Sequence, residues 1–268
     1  MLRMLLLSAL MFFCATAVAV PDKDLWEYWD QEDKTSKEVI DHSLWQSFLD
    51  KYVKYSDHNK MYMVTYSKIK KVDKDNLQKY LDAMALLDPK TLRRNEQLAY
   101  WINLYNALTV GLILKYYPVK SITKLGKGWF RTGPWKDNII RINRKNISLH
   151  DIEHRILRPI WNNPKIHYAL NCASLGCPDL APQTYNSKNI DEQLLKAGNR
   201  FINQPKGVNF VAGRLMLSRI FDWYEDDFGG EKGVKKELLE HSQGAIKNRI
   251  KFYKGRISYR YNWQLNEY

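Results

Sequence analysis

Apolar and polar positions alternate along this chain in two rhythms. In "SLWQSFLDKYV", Leu44, Phe48, Leu49 and Val53 fall at helical intervals, so the spacing predicts a helix. "MYMVTYSKI" reads as a short strand, and "VDKDNLQKYLDAMALLDP" returns to helical spacing and stops before Pro89. "NEQLAYWINLYNALTVGLILKYYP" is the longest apolar segment outside the first twenty residues. Its core, residues 98–114, carries Asn103, Asn106 and Thr109 and is short for a bilayer span, so it predicts a central helix packed on most sides. After Pro118 the chain is loop-rich, with Gly126, Gly128, Gly133 and Pro134 around Trp129, Phe130 and Trp135, and no phosphate-binding glycine pattern. "IIRINRKNISL" predicts two strands with a turn near residues 143–146.

"SLHDIEHRILRPIW" predicts a helix with Ser148 as N-cap, Asp151 completing a shortened capping box, and Pro159 ending it. Residues 166–170, in "KIHYALNCASLGCPDLAPQTY", predict a buried strand that delivers Cys172 to its end. "NIDEQLLKAGNRFIN" is helical and capped near Asn189; "RLMLSRIFDWYEDDFGG" reads as strand then helix. "AIKNRIKFYKGRISYRYNWQLN" reads as helix, turn and final strand. Helix and strand signals without βαβ alternation predict a single α+β domain, helices packed on an antiparallel sheet.

The first residues change the compartment. "MLRMLLLSALMFFCATAVAV" has one basic residue, an apolar run and then Ala17-Val18-Ala19, the small-x-small pattern of a cleavage site. We expect residues 1–19 to be a signal peptide, 20–44 an N-terminal segment and 45–268 the domain, and the mature protein to be periplasmic or secreted. The alternative is an uncleaved membrane anchor. A lipoprotein reading at Cys14 fails, because Met11-Phe12-Phe13 lacks the small residues it needs. The chain of 268 residues has a formal charge of +13, spread along the chain, with carboxylates interleaved among many of the cations. That suits a lysine-rich soluble surface, or attraction to a peptide-like or anionic envelope partner. Nucleic acid is not expected, since no recognised binding motif is present.

Two cysteines remain after Cys14 leaves. Cys172 and Cys177, five apart, could be a disulfide, a metal site or a nucleophile and its neighbour. A thiol nucleophile needs a base and a lowered thiol pKa. His154 is the candidate base, Asn103 or Asn106 the candidate orienting group, and Asn171 or Ser174 could help hold an oxyanion. Trp129 is a candidate cleft wall, and Glu153 stands beside His154. His150, Glu153 and His154 also fit the H-x-x-E-H pattern of inverted zinc peptidases, which would need a later acidic ligand such as Glu192, Glu225 or Glu237. No cofactor or resident metal is expected.

The segments "EQLAYWINLYNALTVGLI", "SLHDIEHRILRP", "IHYALNCASLGCPDL", "LSRIFDWYEDDFGG" and "YRYNWQLN" run in an order that resembles the DUF547 family, a group named for its unknown function. The family pattern includes positions matching Glu153, His154, Asn171, Cys172 and Cys177. Its members are often exported from bacteria. The position of His150 is commonly acidic in that pattern, which counts against zinc. Two function classes follow: a cysteine-dependent hydrolase or acyltransferase, broadly like papain or transglutaminase folds, using Cys172 and His154; or a non-catalytic periplasmic binding or scaffold domain with a Cys172–Cys177 disulfide.

Overall fold

Residues 22–126 and 133–268 are described by the computed structural model. The expected signal peptide, residues 1–19, and Trp129 lie outside them. The chain begins with α1 (Ser43–Tyr52), the hairpin β1 (Val53–Ser56) and β2 (Met61–Val64), α2 (Lys71–Leu86) and α3 (Arg94–Tyr116). The apolar segment at α3 is helical as its spacing requires, and 16 of its 23 residues are buried, because α2, α5 (Ile190–Ile202) and the 151–157 turn pack around it. Several buried polar side chains on α3 are tied to backbone elsewhere in the chain. Glu96 accepts from Ile40 N–H at 3.0 Å, and Gln97 donates to Gln31 O at 2.7 Å.

The hairpin β3 (Ile140–Ile142) and β4 (Lys145–Ile147) turns at Asn143 and Arg144, both at positive φ, the geometry of a two-residue hairpin loop. Beyond α5 come β5 (Val208–Val211), β6 (Arg214–Ser218), α6 (Ile220–Trp223), α7 (Gly230–His241), α8 (Gly244–Phe252) and β7 (Ser258–Arg260). Among the described residues the strands form three small sheets rather than one, and β7 runs parallel to β6 while the other strand pairings are antiparallel. This is a single α+β domain whose buried residues fall into a large cluster around α3 and a smaller one around Phe201, Phe221 and Leu238. The C-terminal segment stitches the parts together. Val64 N–H donates to Asn266 O at 2.9 Å, and Leu175 N–H to Gln264 O at 2.8 Å. Among the described residues, no helix is long and apolar enough to cross a membrane.

Two local predictions fail for identifiable reasons. Pro159 does not end its helix. Asp151–Leu157 is a π turn, with Arg158 N–H bonded to Glu153 O, and α4 (Arg158–Trp161) continues through the proline. A proline displaces the carbonyl four residues back. Here that carbonyl, Arg155 O, accepts from Trp26 N–H at 2.9 Å, so the N-terminal segment repairs the break. The strand expected at 166–170 is a 3-10 helix, Pro164–Tyr168, started by Asn163 accepting from Lys165 N–H at 3.0 Å. No neighbouring strand is needed, because Asn106 of α3 donates to Ala169 O at 2.9 Å and accepts from Asn171 N–H at 2.8 Å.

Candidate functional site

The π turn places polar side chains inside the protein. Ser148 and Asp151 form the expected capping box: Ser148 Oγ donates to Asp151 Oδ2 at 2.7 Å, and Asp151 N–H donates to Ser148 Oγ at 3.1 Å. In the π turn that follows, Glu153 and His154 are both buried, although adjacent positions on a helix splay by about 100°. Glu153 accepts from Tyr224 Oη at 2.9 Å and Tyr105 Oη at 3.1 Å. Burial alone would raise its pKa, but His154, His167, the Tyr224 hydrogen bond and Arg158 together hold it below the usual range. The same burial pushes the Tyr105 and Tyr224 phenols well up, so both stay protonated donors.

His154 is 1% exposed, and its Nδ1 accepts from Arg158 Nη1 at 2.9 Å. A guanidinium only donates, so the proton of the neutral ring sits on Nε2. Burial chiefly, with Arg158 and His150 adding and Glu153 opposing, brings its pKa down to about 4. Arg158 also grips Asp227, Nε to Oδ2 at 2.6 Å and Nη2 to Oδ1 at 3.0 Å. His167 Nε2 lies 2.7 Å from the same Oδ2, and its ring stacks on Tyr224 with centroids 3.8 Å apart. Against the burial that would raise it, His167 and Arg158 hold Asp227 far below the ordinary carboxylate range.

The cysteine loop adjoins this network. Cys172 and Cys177 are joined in a disulfide with Cα atoms 6.1 Å apart. Cys172 is partly exposed and Cys177 is buried. Ala173 takes a left-handed φ of 57°, which folds the chain back so that Cys172 N–H points at Cys177 Sγ, 2.9 Å away. Asn171 braces the turn, accepting from Ala173 N–H at 2.9 Å and donating to Pro178 O at 2.7 Å. Tyr261 Oη sits between the sulfurs, 3.1 Å from Cys172 and 3.0 Å from Cys177, and Ser174 Oγ is 3.4 Å from Cys177 Sγ. Burial raises the Tyr261 phenol, against the hydrogen bond it accepts from Ser174 Oγ at 3.1 Å and with a smaller push from Glu153. Trp223, Trp263 and Tyr261 pack with centroids 4.5 to 5.7 Å apart beside the disulfide, and Trp135 extends the group.

Residues 89–202 match the family model DUF547, described as a protein of unknown function. This stretch is a DUF547 domain. No curated protein and no solved structure matches the chain. The DUF547 match takes in Tyr105, Glu153, His154, Arg158, His167 and both bridged cysteines. Tyr224, Asp227 and Tyr261, which complete the site, come from beyond it.

The candidates read from the sequence thus divide. Glu153 and His154 share the buried network, while Cys172, Asn171, Ser174 and Cys177 share the loop. Cys172 and His154 are not hydrogen-bonded to one another: the sulfur faces Tyr261 and Ser174, and the ring faces Arg158. Asn103 and Asn106 hold backbone, Asn103 pairing with both Tyr185 N–H and Tyr185 O. In the H-x-x-E-H set, Arg158 occupies the His154 Nδ1 and two tyrosines occupy Glu153, while Glu192 pairs with Lys196 and Glu237 with His241 on other helices. Among the described residues, the His, Asp and Glu ligand atoms that do converge are those of Glu237, Glu240 and His241. Sequence reasoning missed Arg158, His167, Asp227, Tyr105, Tyr224 and Tyr261. "DWYEDDF" and "YRYNW" held three of them, but nothing in the spacing ties those segments to Cys172.

Proposed function

We propose that this DUF547 domain performs thiol–disulfide exchange at Cys172 and Cys177, on peptide-like substrates and outside the cytoplasm. One observation carries the reading: the buried sulfur, Cys177, is ringed by Cys172 N–H at 2.9 Å, Tyr261 Oη at 3.0 Å and Ser174 Oγ at 3.4 Å, while its partner sulfur is partly exposed. An incoming thiolate attacks Cys172 Sγ. The bond to Cys177 breaks, its electron pair passes to Cys177 Sγ, and Cys172 N–H and Tyr261 Oη, the latter backed by a hydrogen bond from Ser174 Oγ at 3.1 Å, stabilise the thiolate that leaves. Exchange is faster when the leaving sulfur is the better-stabilised anion. A second thiol of the reductant then attacks the mixed disulfide, Cys172 departs as thiolate, and the reductant leaves oxidised. Tyr261, kept protonated by burial, is the donor shared by both sulfurs. The aromatic group formed by Trp223, Tyr261 and Trp263 offers a face for a peptide beside Cys172. The compartment rests on the leader-like first 19 residues, and an oxidising compartment keeps the bridge formed in the resting protein.

The test is turnover. With dithiothreitol as reductant and a disulfide-linked peptide as substrate, the wild type should exceed the uncatalysed rate. Cys172→Ser should abolish the excess, and Tyr261→Phe should lower it by about 10-fold or more. A rate equal to that of buffer would leave the bridge a structural staple in a scaffold domain.

A second reading has its own support. Glu153 acts electrostatically on Tyr261, and Tyr261 contacts Cys172, so reduced Cys172 has a route to the buried charge network and could serve as the nucleophile of a hydrolase or acyltransferase. Alkylation of the reduced protein separates this case: fast labelling at Cys172, slowed by His154→Ala, belongs to it, and slow labelling unaffected by that change excludes it.

A further inference from the structure

A cleft of about 300 Å³ opens where the cysteine loop meets the C-terminal strand. Its walls are Leu175 and Gly176 of the loop, Met61 of β2, and Pro205, with Gln204, Lys206 and Arg260 supplying polar lining beside Asn59 and Asn262. Gly176 must be glycine for the loop to close here, since a Cβ would lie 2.8 Å from Asn262 N and 3.0 Å from Asn262 O.

The polar groups are built in a definite way. Gln204 is 6% exposed, and its Nε2 donates to Asp179 Oδ2 at 2.8 Å and to Lys60 O at 3.1 Å, which fixes the amide orientation. Its Oε1 is buried with no hydrogen-bond partner among the described residues. A buried acceptor left unmet costs free energy, and a small shift of the Gln204 side chain would open this carbonyl to a donor brought by a ligand in the cleft. Lys206 Nζ lies 2.6 Å from Asp179 Oδ1, so that charge is answered inside the protein. Arg260 is exposed and gives one N–H to Pro205 O at 2.6 Å, out of the five a guanidinium carries. The site therefore offers one positive charge on a planar fork, one buried acceptor and an apolar wall.

We infer that this cleft binds the carboxylate end of an amino acid whose nitrogen is acylated, as in the C-terminal residue of a peptide. The carboxylate takes the Arg260 fork, the amide N–H satisfies Gln204 Oε1, and an apolar side chain lies against Met61, Leu175 and Pro205. A single negative charge matches the one cation of this cleft that has no carboxylate partner among the described residues, and the fork geometry suits a carboxylate. The volume is at the small end of ligand sites, enough for a terminal residue rather than a long polymer. The inference does not depend on thiol chemistry, because the probes below carry no sulfur and the bridge stays intact.

The experiment titrates the oxidised full-length protein with N-acetyl-leucine and follows the amide resonances of Gly176 and the side-chain amide of Gln204. Both should shift on binding. N-acetyl-leucinamide, which lacks the carboxylate, and N-acetyl-N-methyl-leucine, which lacks the N–H, should each bind at least about 10-fold more weakly, the size of one lost charged or buried hydrogen bond. Arg260→Ala should weaken N-acetyl-leucine to the same degree, and Arg260→Lys should recover part of it. No shift with N-acetyl-leucine, equal binding of all three probes, binding unchanged by Arg260→Ala, or stronger binding of inorganic phosphate would each overturn the inference.

Discussion

Asp227 is the residue on which the buried network turns. Its two oxygens meet Arg158 through both Nε and Nη2, His167 through Nε2, and Lys23 at 3.1 Å. Removing one partner of a buried charge pair costs about 3–5 kcal/mol, so Asp227→Asn should lower the unfolding free energy by that order in denaturant titration. The histidines set the acid limit. His42 and His154 both have their pKa pushed down to about 4, chiefly by burial, from an ordinary 6.5. In the unfolded chain they bind protons below about 6.5, and in the folded chain only near 4, so the unfolded state holds more protons across that window. Their contribution is thus fully present above pH 6.5 and is lost as pH falls from there towards 4. Stability should drop by a few kcal/mol over the window, at up to about 1.4 kcal/mol per pH unit for each group. His154→Gln should flatten the fall, and a wild-type stability constant from pH 7 to pH 4.5 would contradict this reading.

At the scale of elements, the sequence was readable where local pattern decided and misleading where a distant side chain did. Helical spacing located α1, α2, α3 and α5, and Asn143 with Arg144 gave the β3–β4 turn. These depend on neighbours within a few residues. Pro159 misled because its helix survives through a bond from Trp26, more than a hundred positions away. Residues 166–170 misled because Asn106 does the work of a missing strand. The candidate site was half legible for the same reason. Glu153, His154 and the cysteines stand in compact motifs, whereas Tyr261 reaches Cys177 across 84 positions. Asn106→Leu tests this account of the loop. It orphans Ala169 O and Asn171 N–H, each worth about 1–3 kcal/mol, so a stability loss of that order should appear in thermal unfolding. A change within about 0.5 kcal/mol, as for a surface substitution, would show that the loop does not depend on α3.

At the scale of the molecule, the formal charge of +13 includes one local group of lysines. Lys232, Lys235, Lys236 and Lys247 gather around one shallow depression between α7 and α8, joined there by Glu240. Such a face attracts anionic polymers or lipids through screened electrostatics. Binding to vesicles rich in anionic lipid should therefore weaken steeply between about 0.05 and 0.5 M salt. Retention unchanged across that range would assign the lysines to solubility alone. The C-terminal segment is the other molecule-wide feature, since it joins β2, the cysteine loop and β6 at once and carries Tyr261 into the site.

In the exchange proposed above, Cys172 is the sulfur attacked and Cys177 the sulfur that leaves. The most direct measurement is to treat the oxidised native protein with glutathione, quench in acid before the second exchange, and locate the glutathione adduct by peptide mass spectrometry. The adduct should sit on Cys172, with Cys177 recovered as a free thiol, and Tyr261→Phe should slow its formation. An adduct on Cys177, an even division between the two, or reduction that occurs only when the protein unfolds would contradict it.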